Sequence, residues 1–142
     1  MARKVKPAKP LIYVFCEGES EQVYTDYLKK IFSDVAVIKR PSDTGLFEEA
    51  EAKFSKSPKY KNSIDVTDEI WFFYDVEEKD IHKWNDRLAI IKKLRKLRKK
   101  QGIRVRLLMT SGCIEYWFMC YITNIIRRNL SLCLIRKKLL MK

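Results

Sequence analysis

The chain has 142 residues, enough for one compact domain with its own core and without disulfides. A hydrophobic fraction of 46% and an aromatic fraction of 12% exclude a disordered chain. The formal net charge of +12, from 30 Lys and Arg against 18 Asp and Glu, favours polyanionic partners, because each neutralised phosphate releases counterions; its plainer meaning is a soluble basic surface.

Residues 1–10 read as a basic, flexible tail with Pro7 and Pro10. Leu11–Cys16 is an unbroken apolar run with β-branched and aromatic members, the pattern of a strand buried on both faces. Gly18 allows a tight turn, Ser20 suits an N-cap, and Glu19 and Glu21 suit the positive end of a helix dipole. Val23, Tyr24, Tyr27, Leu28, Ile31 and Phe32 follow at helical spacing, so residues 20–32 are expected as an amphipathic helix with that apolar face. Residues 35–38 read as a short strand and 41–45 as a turn. Residues 46–56 suit a helix with Leu46, Phe47, Ala50 and Phe54 on one side, and 56–62 read as a polar, basic loop. Residues 69–74 are the second strong strand.

The acidic stretch 75–80 precedes an expected long helix reaching about residue 100, with Ile81, Trp84, Leu88, Ile91, Leu94 and Leu97 as its apolar stripe. Lys92, Lys93, Lys96, Lys99 and Lys100 lie on its other faces and are the best phosphate-binding candidates; the alternative is a solvated outer face. Gly102 ends the helix as a C′ residue. Residues 103–109 form a third strong strand, with Arg104 and Arg106 between apolar residues. Another helix is expected over about 113–127, and 129–142 is apolar, then basic. Strands and helices alternate without an internal repeat, which argues for an α/β fold with a mostly parallel sheet of about four strands flanked by helices. In such sheets, ligands bind beyond the carboxyl ends of the strands.

Several functions find no support. Cys16, Cys113, Cys120 and Cys133 show no zinc-knuckle or redox spacing, and only His82 could add an imidazole; reduced, mostly buried thiols are expected. His82 itself reads as a surface or packed helix residue. Trp71, Trp84 and Trp117, with Phe72 and Phe73, read as core rather than as a base-stacking platform. No phosphate-cradling loop followed by Lys-Ser or Lys-Thr occurs, so no intrinsic ATPase activity is expected. No apolar run has the length of a membrane span or a signal peptide, and a cytoplasmic location is expected.

Acidic groups follow three strands directly: Glu17 and Glu21 after the first, Asp75, Glu77 and Glu78 after the second strong one, and Glu115 after the third. In a parallel sheet these ends share one edge. Gathered there, the carboxylates repel one another unless a cation joins them, and hard oxygen ligands suit Mg²⁺ or Mn²⁺. Taken singly, each has a plainer role: helix N-terminal charge for Glu21, a cap and solvated first turn for 75–80, a surface ion pair for Glu115.

These residues resemble a Toprim pattern, a glutamate followed by glycine after the first strand and an acidic pair after a later one: Glu17–Gly18 and Asp75–Val76–Glu77. More narrowly, residues 12–21 (IYVFCEGESE), with Tyr24 and Leu28, resemble the opening of RloB-like proteins, a family of prokaryotic defence proteins. Residues 111–117 (SGCIEYW) are similar to that family's later stretch carrying Glu and Trp. The resemblance covers roughly 11–122, and implies a Toprim-like domain over 11–127 followed by a basic-apolar segment, 128–142. Glu77 replaces the usual second aspartate, Gly112 and Ile114 replace a proline and a phenylalanine, and Tyr121 stands where a histidine is usual. The chain ends sooner than the resemblance leads one to expect, and 127–142 is expected as a truncated or frameshifted end.

The resemblance implies a metal-assisted phosphodiester reaction in restriction or phage defence. Glu17 is implied as general acid/base or metal ligand, Asp75 and Glu77 as holders of Mg²⁺, and Glu21 and Glu115 as completing the site or orienting waters. An AAA-type ATPase partner is implied as well. Two other functions stay open: a non-catalytic module binding nucleic acid or a partner, and nucleotidyl transfer as in primases, for which no separate nucleotide-binding motif is seen.

Overall fold

The computed structural model describes residues 8–111 and 118. The expected helix at 113–127 and the segment after it lie outside the described residues, Phe118 apart. The order is β1 (Leu11–Cys16), α1 (Glu19–Ile31), β2 (Val37–Lys39), α2 (Phe47–Lys56), α3 (Pro58–Lys61), β3 (Thr67–Val76), α4 (Trp84–Lys96) and β4 (Arg104–Ser111). Short 3₁₀ turns, Ile64–Val66 and Glu78–Lys83, precede β3 and α4.

The four strands of the described residues lie in the order β2-β1-β3-β4, every neighbouring pair parallel. The expected α/β fold with a parallel sheet is what the chain adopts. All six residues of β1 are buried, as its unbroken apolar run requires of a strand covered on both faces. Leu11, Tyr13 and Phe15 join Ile70, Phe72 and Tyr74 of β3 on one face, against Phe47, Ala50 and Phe54 of α2, Tyr60 of α3 and Ile90, Ile91 and Leu94 of α4. Aromatic rings fill this layer: Phe47 stacks on Phe72 at 4.2 Å between centroids, and Tyr13 meets Phe54 edge-on at 5.6 Å. On the opposite face, Cys16 meets Thr25 of α1, and Tyr24 packs edge-on against Phe73.

Four expectations shift. Residues 56–62 are not only a loop: Pro58 starts α3, where a missing N–H costs nothing, and buried Tyr60 is its apolar anchor. Helix α1 does not bury its apolar stripe among the described residues. Val23 is 69% and Tyr27 57% exposed, while Glu21 and Thr25 are buried. On its buried side, the Thr25 hydroxyl donates to the Glu21 carbonyl one turn back in the helix (2.8 Å) and lies 3.4 Å from the Cys16 thiol.

The expected long helix is a 3₁₀ turn followed by α4. Ile81 sits in the turn and is 71% exposed, because a stripe extrapolated at 3.6 residues per turn fails where the period is about 3. Within α4 the buried residues are Arg87, Ile90, Ile91 and Leu94. Trp71, expected in the core, is half-buried and donates its Nε1–H to Glu69 at 2.7 Å. Gly102 adopts a left-handed φ of 64° after the turn that follows α4, and Ile103 N–H closes back on the Arg95 carbonyl at 3.1 Å.

Candidate active site at the carboxyl edge of the sheet

Strands β1 and β3 run side by side with Cys16 level with Phe73, so Glu17 emerges beside Tyr74 and Asp75. The Glu17 N–H extends the ladder by donating to the Phe73 carbonyl at 3.1 Å. The Asp75 N–H then donates to Oε2 of Glu17 at 3.0 Å. Two carboxylate residues, 58 positions apart in sequence, are thereby tied together at one edge. Strand β4 adds a third element. Thr110 lies level with Asp75, and its hydroxyl hydrogen-bonds Oδ1 of that residue.

Glu21 lies close by but faces inward. It is 5% exposed, and its Oε2 accepts the Gly18 N–H at 3.1 Å. A Cβ built on Gly18 would stand 2.9 Å from that oxygen, so a larger residue there would displace the end of the Glu21 side chain. Glu77 stands at the N-cap of the 3₁₀ turn, and its carbonyl accepts the Asp80 N–H at 3.0 Å. Glu115 lies outside the described residues. Of the acidic residues singled out from sequence, the fold therefore brings Glu17 and Asp75 together, with Glu21 supporting the intervening turn. Among the described residues, no group of three or more His, Cys, Asp or Glu side chains could hold a metal ion.

The lysines lie elsewhere. Lys92 and Lys93 are exposed on α4, where Lys93 pairs with Glu51 at 2.6 Å, and Lys96 is exposed at the end of that helix. Lys99 and Lys100 are exposed in the turn beyond it, next to Asp65 and Asp68 at the start of β3. Helix α4 begins near the carboxylate edge and returns the chain to the start of β4. Lys99 and Lys100 thus sit at the edge where strands begin, away from Glu17 and Asp75.

A cavity of about 390 Å³ opens at the carboxyl edge, lined by residues following β3, by the first turns of α4 and by Met109 of β4. Sequence reasoning missed the buried Arg87 that lines it. Arg87 is 6% exposed; its Nη2 donates to Oδ1 of Asp80 at 2.8 Å, and its guanidinium lies 5.2 Å from the Phe47 ring centre and 5.6 Å from that of Tyr74. Burial pushes the Tyr74 phenol up, and the nearby Arg87 charge only partly offsets this. A cation at position 87, on the face that buries Ile90, Ile91 and Leu94, was the available signal. Thr110 had none, because its importance depends on cross-strand register.

The model of a protein family, described as RloB-like protein, matches residues 12–141. No curated protein and no solved structure matches the chain.

Proposed function

The chain belongs to the RloB-like protein family, and we propose that it is a metal-dependent, nuclease-type phosphodiesterase of Toprim kind acting on nucleic acid. The observation that carries this reading is the Asp75 N–H bond to Glu17, which pairs two hard-oxygen residues at the carboxyl edge of a parallel sheet. This edge belongs to a chain of net charge +12, suited to a polyanion.

The donor chemistry fits Mg²⁺ or Mn²⁺, with Glu17 and Asp75 as holders and with Glu77 and Glu115 as further carboxylates of the proposed site. When bound, such an ion neutralises charge on the scissile phosphate and makes a water more acidic. The protein groups do the rest. The Asp75 N–H fixes the Glu17 carboxylate, and the Thr110 hydroxyl fixes that of Asp75. Glu21 holds the Gly18 turn that aims Glu17. Glu17 would take a proton from the attacking water or return one to the leaving oxygen. An AAA-type ATPase partner and a role in phage defence or restriction rest on the family membership.

A second reading is a non-catalytic module that binds nucleic acid or a partner. It draws support from the lack, among the described residues, of a group of three metal-binding side chains. Incubation of the full chain with single- and double-stranded DNA and RNA, in Mg²⁺, Mn²⁺ or EDTA, separates the two. The nuclease reading expects cutting that EDTA stops and that Glu17→Ala and Asp75→Ala each abolish without loss of fold. Cutting that survives both substitutions rejects the site, and no cutting of any substrate favours the binding module.

A further inference from the structure

Helix α1 presents two unlike sides. Glu21 and Thr25 are buried, and Val23, midway between them in sequence, stands about 160° from each around the helix axis. Val23 is 69%, Tyr27 57% and Ile31 48% exposed. These three recur at every fourth residue, so they form one apolar stripe along the outer side. Glu19 begins the same row one turn before Val23, and Lys30, seven residues after Val23, lies at its other end. Both are exposed, and neither makes an ion pair among the described residues. The nearby Asp26 is already engaged through both oxygens by Arg40, at 2.9 and 2.7 Å. Tyr27 is braced by the stacked ring of Tyr24, 6.2 Å away between centres. The outer side of α1 is thus an apolar row around an aromatic anchor, with an anion in its first turn and a cation in its last.

We propose that this stripe is the contact of a homodimer, in which two copies of the chain pack α1 against α1, antiparallel about a twofold axis. The order of the charges selects both the partner and its direction. An axis near residue 25 sets Val23 of one copy beside Tyr27 of the other. It brings Glu19 of one copy within about 1.5 Å, along the helix, of the level of the other copy's Lys30. Symmetry makes that pair twice. Parallel packing would instead set Glu19 against Glu19 and Lys30 against Lys30, and would align the two helix dipoles. A polyanion has little to bind here, because the one available cation is matched by one carboxylate. The helix has 13 residues and is about 20 Å long, so the contact is small. Pairing is accordingly weak, with half-dissociation at about 10 µM; well below that, the chain is a monomer and Val23 stays in water.

Pairing through α1 does not depend on the proposed phosphodiesterase activity. The test is sedimentation velocity on the full chain over about 1–100 µM. Salt at about 0.15 M, with a Debye length of about 8 Å, screens the general repulsion of two basic chains more than it weakens a contact pair. The parent should pass from monomer to dimer within that range. Glu19→Lys and Lys30→Glu each exchange two attractive pairs for two repulsive ones, and each should weaken the dimer about tenfold. An equal mixture of these two variants restores both pairs in a heterodimer and should regain the parent's affinity. Tyr27→Ser removes the anchor and should leave a monomer throughout. A parent that stays monomeric to the top of the range leaves the stripe to some other partner and overturns the proposal. A dimer indifferent to both charge reversals, or charge variants that fail to pair when mixed, would overturn it too.

Discussion

The Asp75 N–H donates to Oε2 of Glu17 at 3.0 Å, which makes the backbone of one strand the support for the carboxylate of its neighbour. Only one oxygen atom is needed for that support. A glutamine amide oxygen can accept the same bond but cannot move a proton at neutral pH. Glu17→Gln should therefore preserve the thermal midpoint while lowering metal-dependent cleavage about 10²–10⁴-fold. A comparison of melting curves and single-turnover cleavage rates checks this, and an unchanged rate would remove Glu17 from the chemistry.

Thr110 acts on Asp75 from the other side. Thr110→Val removes the hydroxyl and keeps the shape, so the carboxylate loses its fixed orientation. Cleavage should fall about 10–100-fold, as when a partner of a metal ligand is lost. Thr110→Ser should restore most of it. Equal damage from valine and serine would assign Thr110 a packing role only.

Phe72 is fully buried between Phe15 and Phe47, whereas Val23 on α1 is 69% exposed. Urea unfolding should show Phe72→Ala losing about 3–5 kcal/mol. Val23→Ser should stay within about 0.5 kcal/mol of the parent. A large loss at Val23 would mean that its side of α1 is covered in solution.

Particular residues show where the fold could be read in advance. β1 and β3 announce themselves because strands covered on both faces need unbroken apolar runs, and Glu17 and Asp75 follow from standing at or near their ends. The orientation of α1 did not follow from its periodicity. Glu21 and Thr25 are buried, with the Thr25 hydroxyl against the Cys16 thiol, while Val23, Tyr27 and Ile31 are exposed. Arg87 and Thr110 escaped for a different reason: the first is a cation whose partners, Asp80 and two aromatic rings, come together only in the folded chain, and the second matters through strand register. The lysine series, continuous in sequence, is divided between the flank of α4 and the far edge of the sheet.

Glu69 sets a pH dependence at that far edge. Partial burial alone would raise its pKa, but hydrogen bonds from Arg106 and Trp71, with the Arg104 charge, outweigh burial and hold the carboxyl below its ordinary value. A carboxyl depressed in the folded state contributes stability that is present above its unfolded pKa and lost as pH falls through its folded pKa. Glu69→Gln should therefore melt earlier than the parent at pH 7. The gap should narrow below about pH 4.3, where the unfolded carboxyl protonates, and close at lower pH. Melting curves across that range check the sign, and a gap that widens on acidification would contradict it.

In the proposed site, Glu17 and Asp75 act jointly as oxygen donors to a divalent cation. Electron paramagnetic resonance of free Mn²⁺ during titration into the full chain reads this directly, without any substrate. The parent protein should take up Mn²⁺ saturably, and an Asp75→Asn variant that remains folded should lose that uptake. No uptake by the parent, or uptake unchanged in both Asp75→Asn and Glu17→Gln, would contradict it.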